Sequence, residues 1–150
     1  LNPQSEDRLI IMVRQLRALK WNTPIYGFIY PSSPTFLTAV GDQAEGIVFA
    51  DTPSLTDVAG TRCEGLRDKF VRKYGEPKSA DFLILTSVMS LEAVNFATTA
   101  EGDMTKALTG KPIRGVCNEF SFDQNGDVMG MSYQLREVRD GKSEKLRDET

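Results

Sequence analysis

The 150 residues carry 18 Lys and Arg against 21 Asp and Glu, a net charge of −3, with 40% hydrophobic and 26% charged residues. That balance describes a globular domain with a real core rather than a disordered chain. Basic and acidic residues are interspersed, which excludes a basic nucleic-acid footprint, and no uninterrupted apolar run is long enough to cross a bilayer.

Histidine is absent. Ser-His-Asp and Cys-His catalysis and His-ligated metals are therefore excluded, while carboxylate and lysine chemistry stay open. The two cysteines, Cys63 and Cys117, lack CxxC spacing, so a zinc or redox motif is disfavoured. Two buried free thiols are favoured over a disulfide. The chain opens at Leu1-Asn2-Pro3-Gln4 with no initiator Met and reads as a processed or excised piece. The lack of a signal peptide therefore says nothing about compartment.

Residues 5–20 predict a helix. Ser5 stands at the N-cap, and Glu6 and Asp7 lie in the first turn, where the helix dipole favours negative charge. Leu9, Met12, Val13, Leu16 and Leu19 recur at helical spacing, and Ile10 and Ile11 widen that stripe into a well-buried helix. Asn22-Thr23-Pro24 stops it. Pro24 to Tyr30 is an aromatic, apolar run expected as a buried strand of a parallel sheet, followed by a Pro-Ser-Ser-Pro loop and a short helix to Val40.

Gly41 to Pro53 is the stretch around which the chain is organised. Two glycines bracket an acidic turn, a strand runs from about Gly46 to Ala50, and Pro53 holds the preceding residue extended. Ser54 to Tyr74 predicts a helix with Ala59, Cys63, Leu66, Phe70 and Tyr74 on one side, ended by Gly75 and Pro77. Residues 80–98 predict a second helix with almost no polar face, packed on most sides. Asp103 caps a short helix ending at Leu108. Phe120 and Phe122 alternate with polar neighbours in a half-buried strand, Asp123 to Asp127 turns, and Met131, Tyr133 and Leu135 lead into a final strand closed by Asp140-Gly141. The run Arg136 to Glu149 balances five basic residues against five acidic ones and is expected as a solvated, partly frayed end.

Few residues suggest chemistry. Asp123-Gln124-Asn125-Gly126-Asp127 has the first half of a calcium loop, but position twelve is Gln134 instead of a bidentate Glu, so a hairpin turn is favoured. Gly41 and Gly46 do not form a phosphate loop. Glu92, on the apolar helix, is a candidate buried base, with a solvent-facing or paired carboxylate the favoured alternative. Phe28, Tyr30, Ser32 and Ser33 follow a strand at the end where α/β sheets bind ligands, and Asn2, Gln4 and Ser5 stand in a similar place before the first helix. Core aromatics and helix-capping serines explain the first group equally well. No metal or cofactor site is expected.

In order and spacing, Met12-Val13-Arg14-Gln15-Leu16-Arg17, Gly27, Gly41-Asp42-Gln43-Ala44-Glu45-Gly46, Phe70-x-x-Lys73-Tyr74-Gly75, Phe122 to Asp127 and Asp140-Gly141-Lys142 resemble the C-terminal part of the periplasmic solute-binding proteins of branched-chain amino acid ABC transporters. The resemblance runs over essentially the whole chain. It implies an α/β fold that is part of a two-lobe, type I periplasmic-binding-protein architecture. The sheet is parallel and flanked by helices, with a hairpin-like strand pair near the C-terminus. Residues 1–50 would belong to the second lobe and 51–130 to the first, including the hinge crossover. Residues 131–150 would return to the second lobe and end in a charged tail.

The likeness further implies a small-molecule solute bound by hinge closure, a membrane permease as partner, no nucleic acid, no catalysis and a periplasmic or extracellular location. A piece of this kind would leave core faces uncovered and associate with itself or with a missing N-terminal half. The ligand-binding positions carried over are Asn2, Gln4, Ser5, Phe28, Ile29, Tyr30 and Phe82. Ile29 stands where amino-acid-binding relatives often hold an acid for the ligand's ammonium group. A buried ammonium without a partner is heavily penalised, so a less basic solute is expected. A ligand-sensing domain of a signalling receptor is the second expectation, and a small α/β enzyme using Glu92 or Asp51 as base is the third.

Overall fold

The computed structural model describes residues 1, 3, 5–53, 57, 63, 65–78, 82–131 and 133–146. In chain order its helices are α1 (Glu6–Ala18), α2 (Pro34–Val40), α3 (Leu66–Tyr74), α4 (Phe82–Thr99) and α5 (Met104–Leu108). The strands are β1 (Tyr26–Phe28), β2 (Val48–Asp51), β3 (Ile113–Arg114), β4 (Glu119–Phe122), β5 (Val128–Met129), β6 (Gln134–Arg139) and β7 (Lys142–Lys145). These form two compact units. The first comprises Leu1–Thr52, Pro77–Ala80 and Tyr133–Thr150, and the second Pro53–Glu76 and Asp81–Ser132. The fold is α/β.

The first unit is a four-stranded sheet in the order β1-β2-β6-β7. β1 pairs parallel to β2, whereas β6 runs antiparallel to β2 and β7 antiparallel to β6, so the sheet is mixed rather than parallel throughout. One face carries Ile47, Phe49 and Val138, which pack with Leu9, Ile10 and Val13 of α1 and with Phe36 and Val40 of α2. α1 begins after Ser5, which has extended backbone angles but makes no side-chain cap bond.

Ile11 is exposed, and so is Leu19, at 79%. At 100° per residue Ile11 lies about 200° from both Leu9 and Val13, so Ile10 widens the buried stripe and Ile11 does not. Leu19 falls beyond the last helical turn, and Lys20 leaves the helix at φ +58°. Arg17 secures that end by donating to the carbonyls of Trp21, Gln43 and Glu45 at 3.0, 3.0 and 3.2 Å.

Of the run expected to fray, residues 136–145 instead lie in β6 and β7, joined at Asp140-Gly141, while residues 147–149 lie outside the described residues. Both turn residues have positive φ, 49° and 69°, as a tight hairpin requires. Asp140 and Gly141 donate their N–H groups to the carboxylate of Glu45 at 3.0 and 2.7 Å, which fastens the hairpin to the turn before β2. The charges of this run occupy strand positions because backbone pairing, together with the buried Val138, holds them.

The second unit packs α4 against a three-stranded sheet, β3-β4-β5. Leu85, Met89 and Ala93, four residues apart on α4, meet Ile113 and Phe120 in its core. The rest of α4 is less buried than its composition suggests: Leu91 and Val94 are 71% and 60% exposed. Apolar residues all round a helix do not bury it when neighbours cover only one side.

α3 starts at Leu66, after Gly65 in the left-handed conformation, with Cys63 in a turn. Of the helix predicted from Ser54, the described part is α3, preceded by Asp57 and Cys63 in turns; residues 54–56, 58–62 and 64 lie outside the described residues. Its proposed stripe residue Ala59 lies outside the described residues. α5 is capped by Asp103, which accepts from Thr105 N–H at 2.9 Å. Cys63 and Cys117 form a disulfide across 54 residues, with Cα atoms 4.3 Å apart. The expectation of free thiols is therefore overturned: the fold brings together two cysteines that sequence spacing leaves unrelated. No helix among the described residues is long and apolar enough to cross a membrane.

Candidate functional site

The end of β1 in the first unit gathers most of the candidate positions that the structure describes. Phe28 lies on the sheet face away from α1 and meets Tyr133, with ring centroids 5.3 Å apart. Ile29 then adopts φ 62° and ψ −67°. A β-branched side chain is disfavoured there by roughly 1–3 kcal/mol, so surrounding contacts must impose the conformation. They are visible: Ile29 N–H donates to Ala50 C=O at 2.8 Å, and the Ser32 hydroxyl donates to Ile29 C=O at 3.0 Å.

The bend at Ile29 sends Tyr30 into a single 3-10 turn, Tyr30–Ser32, packed against the unit's core. Ser33 is fully buried. Its oxygen accepts from Phe36 N–H at 3.3 Å to cap α2, and its hydroxyl donates to the Glu6 carboxylate. That bond brings the start of α1, including half-buried Ser5, to the same end of the unit. Ser33 is therefore a helix cap, and Tyr30 is partly core. Phe28, Ile29, Tyr30 and Ser5 are thus local to one another in the first unit. Asn2 and Gln4 lie outside the described residues. Phe82 opens α4 in the second unit, and its side chain falls outside the description.

Beside this end lies a polar group around Asp51, the candidate base of the third expectation, which sequence reasoning did not bring together with Gln134. Asp51 closes β2 opposite Gln134 and is only 4% exposed. Its carboxylate accepts from Thr52 N–H at 2.8 Å. The oxygens Thr52 Oγ1 and Gln134 Oε1 are buried without a hydrogen-bond partner. A buried oxygen left unpaired costs about 1–3 kcal/mol, which marks this as a position that water or a polar group would occupy favourably. Only the β2–β6 register places these residues together, and local sequence carries no signal for it.

Glu92 in the second unit has a different part. Its Oε1 accepts from Val116 N–H at 2.6 Å, while Oε2 is buried against Gly115 without a partner. The carboxylate thus ties α4 to the turn that carries Cys117. It borders an open groove of about 380 Å³ with Asn95, Phe96, Thr99 and Arg114. Arg114 is turned to Glu119 at 3.4 Å. Asp123 organises its own turn, accepting from Asn125 and Asp127 N–H at 2.8 and 2.9 Å. Among the described residues no three His, Cys, Asp or Glu gather as a metal site.

No family model matches the sequence, and no curated protein is similar to it. Solved structures are. A leucine-binding protein of Thermotoga maritima matches with a TM-score of 0.66 and 18% identity over 95% of this chain and 41% of its own. An extracellular ligand-binding receptor of Rhodopseudomonas palustris matches at 0.61 and 22%, over 92% and 44%. One from Desulfohalobium retbaense matches at 0.67 and 14%, over 99% and 26%. The chain therefore spans less than half the length of these structures. It has the α/β fold of part of a type I periplasmic binding protein, as the resemblance in its sequence implied.

Proposed function

We propose that this chain is part of an extracytoplasmic solute-binding component of an ABC transporter, one that binds a small organic solute by closing two lobes about a hinge. The carrying observation is the match in fold, over more than nine-tenths of the chain, to a leucine-binding protein and to extracellular ligand-binding receptors. In this reading residues 1–50 and 131–150 belong to one lobe and 51–130 to the other. Gly46 to Pro53 forms a crossover and Asp51 to Pro53 its pivot. A membrane permease is the protein partner.

The disulfide supports a periplasmic or extracellular location, since such bonds persist mainly in oxidising compartments. The described site supplies no nucleophile–base pair, and the function needs none.

Ser5, Phe28, Ile29 and Tyr30 form the ligand-contacting group on the first unit, with Asn2, Gln4 and Phe82 completing the set. Ile29 in place of an acid disfavours a simple α-amino acid, because a buried ammonium would lack its counter-charge. An aromatic or aliphatic acid or an amide fits better. Calorimetric titration of the purified protein with leucine, an aromatic acid and an amide tests this. Binding of the acid or amide with leucine silent supports it, and high-affinity leucine binding overturns it.

The receptor neighbours favour a second reading, a ligand-sensing domain of a signalling protein. A transmembrane segment and kinase encoded after Thr150 would select it.

A further inference from the structure

The groove beside α4 is lined by the second unit alone. Glu92, Asn95, Phe96 and Thr99 follow one another at steps of three and four residues, which sets them on one side of the helix. Pro112, Ile113 and Arg114, at the start of β3, form the other side. Its volume of about 380 Å³ falls within the range of small-molecule sites. The walls are fixed. Half-buried Phe96 and buried Ile113 pack into the unit's core, and the turn after β3 is held by the Glu92–Val116 bond and by the Cys63–Cys117 disulfide.

The charge of the groove is one-sided. An ionised carboxylate offers about four acceptor positions, and Glu92 uses one, for Val116 N–H. No donor reaches its Oε2, and among the described residues no basic side chain pairs with it. Arg114 also lines the groove but is turned to Glu119. The Thr99 hydroxyl donates to the carbonyls of Asn95 and Phe96, both at 3.0 Å, which leaves its oxygen free to accept. Acceptors on the helix side therefore stand beside apolar surface from Phe96, Pro112 and Ile113.

We infer that this groove is a second ligand site, which binds a small organic ammonium ion with an apolar body and uses Glu92 as counter-ion. An ammonium group brings the donors and the opposite charge that this carboxylate lacks. An alcohol brings a donor without the charge, and an anion is repelled. The inference goes beyond the solute site proposed above and does not depend on it.

Calorimetric titration with phenethylammonium, phenethyl alcohol and phenylacetate, three probes with one apolar body, tests it, and hydrogen exchange locates the contact. Phenethylammonium is expected to bind and to slow exchange at residues 92–99 and 113–116. The alcohol should bind at least about tenfold more weakly, and phenylacetate should be silent. Glu92→Gln keeps an oxygen for Val116 N–H and removes the charge, so it should weaken the ammonium at least about tenfold. Asn95→Trp, at an exposed position, should fill the groove and abolish binding without unfolding the unit. Equal binding of alcohol and ammonium, or indifference to either substitution, overturns the inference. So does a lysine peptide that binds while phenethylammonium does not, since the groove would then serve a protein partner. Slowed exchange at residues 26–30 alone also overturns it. Those residues report the solute site of the first unit, so the two proposals fail separately.

Discussion

The two units reach stability by different routes. Among the described residues, the first gathers ten buried residues from α1, β2, α2, β6 and the turns between them, all apolar, from segments far apart in the chain. The described cluster of the second has seven, two of them the disulfide cysteines. Its richest apolar element, α4, leaves Leu83, Leu91 and Val94 exposed. Hydrophobic content and burial are therefore separable. What matters is whether neighbours cover a side chain, and where they do not, a covalent link constrains the chain instead.

Four changes would break or sharpen that contrast. Phe49→Ala empties a site that is 1% exposed in the first core and should cost about 3–5 kcal/mol. Exchange protection should fall in β2 and α1 and hold in α4. Cys63→Ser with Cys117→Ser should cost about 2–4 kcal/mol, confined to the second unit. Denaturant melts followed by exchange would show it, and mild reduction of the wild type should reproduce it. If both units lose protection together, the contrast between them fails.

Gly115→Ala is expected to cost roughly 1–3 kcal/mol, because the new methyl would collide with Glu92 Oε2 and sit 2.9 Å from Asn118 C=O. A thermal melt of the variant beside Glu92→Gln separates the steric effect from the carboxylate's bond to Val116. Ile29→Gly goes the other way. Glycine tolerates positive φ, so the folded chain should gain up to about 1 kcal/mol after its larger unfolded-state entropy is counted. A rise in melting temperature together with weakened solute binding would tie the strain to function.

Local signals in the sequence survived folding well. The acidic first turn of α1, the Asp103 cap of α5, the alternation of Phe120 and Phe122, and the turns at Asp123 and Asp140 all rest on contacts within a few residues. Long-range features were less legible. The Cys63–Cys117 bond, the pairing of Asp51 with Gln134 and the β6–β7 hairpin depend on registers set between distant segments. The exposure of Ile11 and Leu91 has the same origin, since periodicity shows which side chains share a face but not which face is covered. Of the candidate ligand residues, Ile29 was notable in sequence for the charge it lacks. Its strained backbone angles appear only in the structure.

The tie between Glu45 and the Asp140-Gly141 turn joins groups 95 residues apart in sequence, and it carries a kinetic consequence. At about 5–20 residues per second, a ribosome delivers β6 on the order of ten seconds after β2. Until then Val48, Phe49 and Ala50 lack their antiparallel partner and present an open, apolar strand edge. Both cysteines emerge within that interval. During synthesis the unit that begins first is therefore the one that closes last, and its waiting edge is the segment a chaperone would need to guard.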